Sequence, residues 1–180
     1  FKKLRKKIIY CKNPISFLNT FSKFKREISQ AKMIAITGSA GKTSLKNLLK
    51  DLLKNFGQTH SSQKSFNNHL GVPISLSNLS NKDKYGVFEV GMSKSGEIKN
   101  LSNLIQPHIG IITNIGEAHL ENFKNIKGIA KAKSEIIGNI KKGGFLILNR
   151  DLIKPTFSLI APTLAKGPNI VFEEIFCLET

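Results

Sequence analysis

MIAITGSAGKTSLKNLLKDLLKNFG, residues 33–57, is the stretch whose reading decides the fold. Its first five residues form a short apolar run that stops at Gly38, the pattern of a buried strand. After Gly41, the residues Leu45, Leu48, Leu49, Leu52, Leu53 and Phe56 recur at helical spacing, and Gly57 ends the stretch. The glycine-rich turn TGSAGKTS, residues 37–44, joins the two elements. Such a turn lets backbone N–H groups close around phosphate oxygens at the positive end of the helix that follows. Lys42 is placed to reach the β- and γ-phosphates of a nucleotide, and Thr43 to set a hydroxyl on Mg2+. The general pattern GxxxxGKS/T would need glycine at position 36, where this chain has Ile36, so the loop is a variant. The strand before it and the amphipathic helix after it carry the phosphate-binding reading.

Outward from this core, strands and helices alternate. YGVFEV (85–90) reads as a second buried strand. SGEIKNLSNLI (95–105) reads as a helix stopped by Pro107, with Ser95 as its N-cap and Glu97 in its first turn. HIGIITNI (108–115) reads as a third strand. Residues 125–140 carry Ile126, Ile129, Ala130, Ala132, Ile136, Ile137 and Ile140 and read as a further helix. Gly143-Gly144 then breaks to the strand FLILN (145–149). Strands separated by helices imply βαβ units. The expected fold class is therefore α/β: a P-loop-type, mostly parallel sheet flanked by helices, preceded by a basic N-terminal helical arm.

Composition narrows the function classes. Of 180 residues, 28 are Lys or Arg and 12 are Asp or Glu, a formal net charge of +16. Residues 1–32 hold ten of the basic residues and a single acid, so FKKLRKKIIYCK is a candidate for nucleic acid or an anionic surface. Only Arg5, Arg26 and Arg150 are arginines, and the chain has two Tyr and no Trp. Specific nucleic-acid readers rely on Arg forks and on aromatic stacking, so no specific nucleic-acid partner is expected. A basic nucleic-acid-binding P-loop ATPase stays as the alternative from a different class. The 40% apolar content argues against wholesale disorder. No apolar run approaches the ~18 residues of a membrane-crossing helix, and no secretory signal is expected. Cys11 and Cys177 are the only cysteines, which argues against a disulfide scaffold or a zinc site and fits a reducing cytoplasm. The chain opens on Phe1 rather than Met and is expected to be a fragment or a processed form.

Further polar groups fall where the strands end, which is where ligands sit in open α/β sheets. Glu89 lies inside the run VFEV, a costly place for a carboxylate unless it is paired or metal-bound. A salt bridge to Lys42 and a Mg2+ contact both satisfy it. Thr113-Asn114-Ile115-Gly116 closes the third strand, and His119 follows in the loop. Asn67-Asn68, before Gly71 and Pro73, reads as a turn, and Lys131 and Lys133 read as an exposed helix face.

Six segments in order, TGSAGKTS, FNNHLGVP (66–73), FEVGMSKSGEI (88–98), TNIGEAHLENF (113–123), GIAKAKSEI (128–136) and LNRD (148–151), resemble the Mur ligases. These are ATP-dependent amide ligases of peptidoglycan synthesis, and the variant phosphate loop is their form of it. NNxxGxP, EVGM…GEI and AHLENF are most similar to the branch that adds D-alanyl-D-alanine to UDP-MurNAc-tripeptide. They argue against the folylpolyglutamate or cyanophycin type. The resemblance implies ATP and Mg2+ as cofactors, with Gly38, Ser39, Ala40, Gly41, Lys42, Thr43 and Ser44 at the phosphates. It places Asn68 near the nucleotide and Asn149 where the adenine contacts begin. It implies that Thr43, Glu89, His119 and Lys133 serve the metal, Lys133 as a carbamate, and that Lys42, His119 and Lys133 are catalytic. It implies UDP-MurNAc-peptide and D-Ala-D-Ala as substrates, an acyl-phosphate intermediate, a cytoplasmic setting and a monomer when full length. Residues 1–30 are expected to be the end of a UDP-sugar domain and its linker, and 31–151 a partial central ATP-binding domain. Residues 152–180 are expected to form a tail in which the family pattern is lost, since Leu152 stands where the family tends to carry a second Asp. Ligase activity is not expected of this piece alone.

Overall fold

The computed structural model describes residues 8, 10–116, 122–123, 125–149 and 169–173. Six strands form one sheet: β1 (Lys32–Thr37), β2 (Thr59–Ser61), β3 (Tyr85–Glu89), β4 (Ile109–Ile112), β5 (Phe145–Asn149) and β6 (Asn169–Glu173). Their order is β2-β3-β1-β4-β5-β6, and every neighbouring pair is parallel. The helices are α1 (Pro14–Ile28), α2 (Lys42–Leu53), α3 (Gly71–Ser77), α4 (Glu97–Ile105) and α5 (Ile126–Ser134), with a 3-10 turn at Ile137–Asn139. The parallel sheet flanked by helices is the fold class the alternating pattern predicts, with β2 and β6 added to the four strands read from it.

The apolar run of β1 has no polar alternation because both of its faces are covered. Ile34 and Ile36 join Val87 and Ile111 on one face, packed by Leu45, Leu49 and Leu53 of α2. Met33 and Ala35 look the other way, into a larger core with Val72, Leu76, Ile98, Leu101, Ile129 and Ile136 from α3, α4, α5 and the turn after α5. Each of these large β1 side chains contributes about 1.5–3 kcal/mol by leaving water. As the central strand, β1 sets its carboxyl end between those of β3 and β4. The register pairs Ile36 with both Glu89 and Ile111. The loops after these three strands therefore meet at one edge.

α1 starts with Pro14 in its first turn, and the Asn13 side chain accepts from Ser16 N at 3.0 Å. It packs on α3 and α4. Arg26 is buried there, and its guanidinium donates to the carbonyls of Ile105 (2.5 Å), Gln106 (3.0 Å) and Ser29 (3.4 Å). It thereby closes the carboxyl end of α4, whose last carbonyls have no helical partners.

Several elements differ from the sequence reading. The N-cap of α4 is Gly96 at φ 89, not Ser95, whose hydroxyl instead donates to Glu135 Oε1 at 2.9 Å. The helix expected over 125–140 stops at Ser134 and gives way to the 3-10 turn. Asn67-Asn68 does more than turn the chain: it leads into α3, which buries Val72, Pro73 and Leu76. β2 has a three-residue span, too short for a periodic signal. Within the expected tail, Asn169–Glu173 adds β6 alongside β5. No described helix is long and apolar enough to cross a membrane. Cys11 is exposed and free, and Cys177 lies outside the described residues.

Candidate functional site

The glycine turn between β1 and α2 is held open by the segment after β4. Gly38 has φ 155, and a Cβ there would stand 1.9 Å from Thr113 Oγ1, so only glycine fits. Gly41 takes φ 78 as the N-cap of α2. Thr113 Oγ1 donates to Ala40 O at 2.6 Å, and Asn114 Oδ1 accepts from Ala40 N at 2.8 Å. Ser39 exchanges hydrogen bonds with the backbone of Gly116, at 3.0 Å as donor and 2.9 Å as acceptor. The first turn of α2 carries no side-chain cap. Its N–H groups and the positive end of the helix therefore face the loop, a ready anion site.

Lys42 Nζ folds back over the turn, donating to Gly38 O at 2.8 Å and Ser39 O at 3.4 Å. Burial lowers its pKa, and Glu89 partly offsets that. Thr43 Oγ1 donates to Glu89 Oε2 at 2.8 Å, and Asn67 Nδ2 donates to Glu89 Oε1 at 2.7 Å. Glu89 is 2% exposed. Its ion-pair partner is Lys46 at 3.9 Å rather than Lys42, whose ammonium is taken up by the loop carbonyls. Lys46 escapes a reading by motif. The one sign of it is its spacing, four residues after Lys42 and so on the same helix face.

A cleft of about 470 Å³ opens beside this cluster, lined among others by Gly38, Ser39, Lys42, Asn68, Met92 and Lys133. Lys133 is not on an exposed face as its spacing suggests: it is 3% exposed. Burial lowers its pKa to about 8, with the Lys42 charge adding to the shift. Its ammonium has no hydrogen-bond or ion-pair partner among the described residues. Glu135, two residues on, holds α5 to α4 by accepting from Gly96 N (2.8 Å) and Lys99 N (3.1 Å). The Asn68 side-chain oxygen accepts from Leu70 N (3.1 Å) and Gly71 N (2.9 Å), so that oxygen caps α3 while the residue borders the cleft.

The structure thus brings Gly38, Ser39, Lys42, Asn68 and Lys133 to one cleft, with Thr43 and Glu89 in contact beside it. Ala40 is exposed in the turn, and Ser44 is exposed on the first turn of α2. Asn149 ends β5, one strand beyond β4. His119 lies outside the described residues. Among the described residues, no three His, Cys, Asp or Glu side chains cluster. A hard divalent cation would find the Glu89 carboxylate and the Thr43 hydroxyl, oxygen donors of the type it prefers.

Comparison with known proteins agrees with this architecture. The model of the Mur ligase middle domain matches residues 36–162. Over 143 residues the chain is 45% identical to UDP-N-acetylmuramoyl-tripeptide–D-alanyl-D-alanine ligase of Rickettsia prowazekii, covering 79% of this chain and 32% of the relative. The chain thus spans about a third of the length of that relative. A crystal structure of MurF from Acinetobacter baumannii superposes with TM-score 0.81 at 34% identity, covering 91% of this chain and 36% of the other. MurF ligase from Thermotoga maritima in complex with ADP superposes with TM-score 0.78 at 27% identity, over 92% and 38% of the two chains. With a Mur ligase middle-domain match over residues 36–162 and a relative 45% identical over 79% of the chain, this chain belongs to the Mur ligase family.

Proposed function

We propose that this chain is the nucleotide-binding core of an ATP-dependent amide ligase that joins D-alanyl-D-alanine to UDP-MurNAc-tripeptide in peptidoglycan synthesis. The observation that carries the reading is the Thr43–Glu89 contact of 2.8 Å beside the uncapped start of α2, with the buried Lys133, which has no partner among the described residues, bordering the same cleft. The nucleotide phosphates would lie on the turn 38–41 and the first turn of α2, where Lys42 exchanges its loop carbonyls for phosphate oxygens. Thr43 and Glu89 would hold Mg2+, which supplies charge neutralisation at the transferring phosphoryl group. Lys133, with no counter-charge among the described residues, is suited either to a phosphate or to conversion into a carbamate: its neutral amine adds CO2 and releases a proton, which turns a cation into an anion with hard oxygen ligands. His119 completes the expected metal and catalytic set, and Asn68 and Asn149 the nucleotide contacts. The acceptor carboxylate would take the phosphoryl group to give an acyl phosphate, and the incoming amine would displace phosphate.

The expected division into the end of a UDP-sugar domain (1–30), a central ATP-binding unit (31–151) and a tail (152–180) belongs to the same reading. So do the cytoplasmic setting and the monomeric state. Titration calorimetry with MgATP tests it. Lys42→Ala should weaken binding roughly 100-fold, as loss of a charge-assisted phosphate contact in a partly buried site does. Lys54→Ala, which removes only an exposed pair with Asp51, should leave binding unchanged. Equal losses in both variants would sink the assignment.

A further inference from the structure

Lys46 is the one buried cation of α2. It is 2% exposed, and its ammonium reaches two groups on different elements. One is Glu89 at 3.9 Å, beyond hydrogen-bond length. The other is the backbone carbonyl of Lys64, to which it donates directly. A methionine or leucine would fill this helix position without the cost of desolvating a charge, so stability alone does not explain a lysine here.

The Lys64 contact supplies the reason. Lys64 is one of two non-glycine residues with positive φ among the described residues, at φ 45. Its own side chain is exposed. A non-glycine residue keeps that conformation only when its surroundings enforce it. The strained turn leads within three residues to Asn67, whose amide grips Glu89 at 2.7 Å and whose carbonyl accepts from Gly91 N at 2.8 Å. Asn68 and His69 follow, both bordering the cleft. On the near side of the turn, Ser62 is already tied to β3, through Val87 O at 3.1 Å and Glu89 N at 3.3 Å. Lys46 therefore holds the stretch between Ser62 and Asn67 against α2.

We propose that Lys46 is a positioning residue: by fixing the Lys64 turn while facing the Glu89 carboxylate, it sets the Asn67–Glu89–Thr43 chain of hydrogen bonds in one arrangement. The consequence for nucleotide binding rests on the function proposed above; the consequence for the hydrogen-bond chain does not.

The test uses the ligand-free chain first. In Lys46→Met, which keeps the volume and drops the charge, Gly91 N–H should exchange with solvent roughly tenfold faster, and the Asn67 side-chain amide signals should shift. His108 N–H, bonded to Met33 O at the far end of the sheet, should not change. Adding Lys64→Gly, which makes the positive φ free of strain, should restore most of the Gly91 protection. With MgATP, Lys46→Met should bind about tenfold more weakly, and the double variant should recover. Unchanged Gly91 and Asn67 signals in a folded Lys46→Met chain would overturn the proposal, as would weaker nucleotide binding without those changes. If Lys46→Met does not fold, Lys46→Arg decides, because it keeps the charge but moves the donors. Gly91 and Asn67 must respond to it, and silence there overturns the proposal. A wild-type chain that fails to bind MgATP while Gly91 and Asn67 respond as expected removes the nucleotide reading and leaves Lys46 in its role.

Discussion

Arg26 and Lys133 are both buried cations, at opposite edges of the same sheet, and they are treated differently. Arg26, 3% exposed, has carbonyls of Ile105, Gln106 and Ser29 for its donors. Lys133, equally 3% exposed, has no partner among the described residues and borders the cleft with Lys42 nearby. The edge that carries Arg26 also holds His108, whose Nδ1 accepts from Met33 N at 2.9 Å. At that edge the charges and rings terminate backbone, and the fold itself consumes them. At the cleft edge no described residue takes up the Lys133 charge. A leftover buried charge is a cost to the fold that a ligand or a modification can offset, which is why the cleft reads as functional and the other edge as scaffold.

Truncating Arg26 should give the largest effect on stability. Arg26→Met leaves several buried carbonyls unpaired and should cost about 3–5 kcal/mol, read as a lower urea midpoint. A loss under ~1 kcal/mol would mean that those carbonyls find other partners and that the contrast is false.

Lys133→Met should do the opposite. The folded pKa of about 8 lies below the ordinary value of 10.5, so the protonated form is disfavoured by folding. That cost is complete below pH 8 and fades as pH rises from 8 towards 10.5. Near neutral pH the variant should be more stable by about 1–3 kcal/mol, measured by the same urea titration. A destabilised variant would show that Lys133 has a hidden partner.

A smaller, pH-dependent effect belongs to His108. Burial first, then Lys141, Arg26 and Lys32, push its pKa down from 6.5 to about 4. Below 6.5 the unfolded chain binds a proton that the folded chain refuses, so stability should fall as pH drops from 6.5 towards 4 and level off beneath it. His108→Gln should flatten that interval in a series of urea midpoints. An unchanged slope would assign the acid sensitivity elsewhere. The smallest effect concerns the N-terminal basic block. Filter binding to duplex DNA at physiological salt should detect only weak, sequence-indifferent affinity, because the block is poor in arginine and aromatic residues. Submicromolar, sequence-dependent binding would reopen the nucleic-acid alternative.

Local pattern was enough to read the frame of this chain. The run MIAIT before a glycine turn, and the leucines recurring after it, specify a buried strand and an amphipathic helix whatever surrounds them, since burial periodicity is a property of the segment alone. The order of the strands, with β1 and its glycine turn at the centre, was settled by packing, and β2 and β6 had no periodic signal of their own. Tertiary structure decided the polar pairings. Glu89 could meet either Lys42 or Lys46, and only the packing of α2 against β3 selects Lys46 for the ion pair and Thr43 for the hydrogen bond. Lys133 and Lys131 look alike on a helix of alternating lysines, yet packing buries one and leaves the other exposed. The capping role of Ser95 passed to Gly96 because Glu135, forty residues on, claimed the Ser95 hydroxyl and two N–H groups of α4's start. Contacts between residues distant in sequence carry no local signature, so the burial and partner of each charge were settled only when the elements packed.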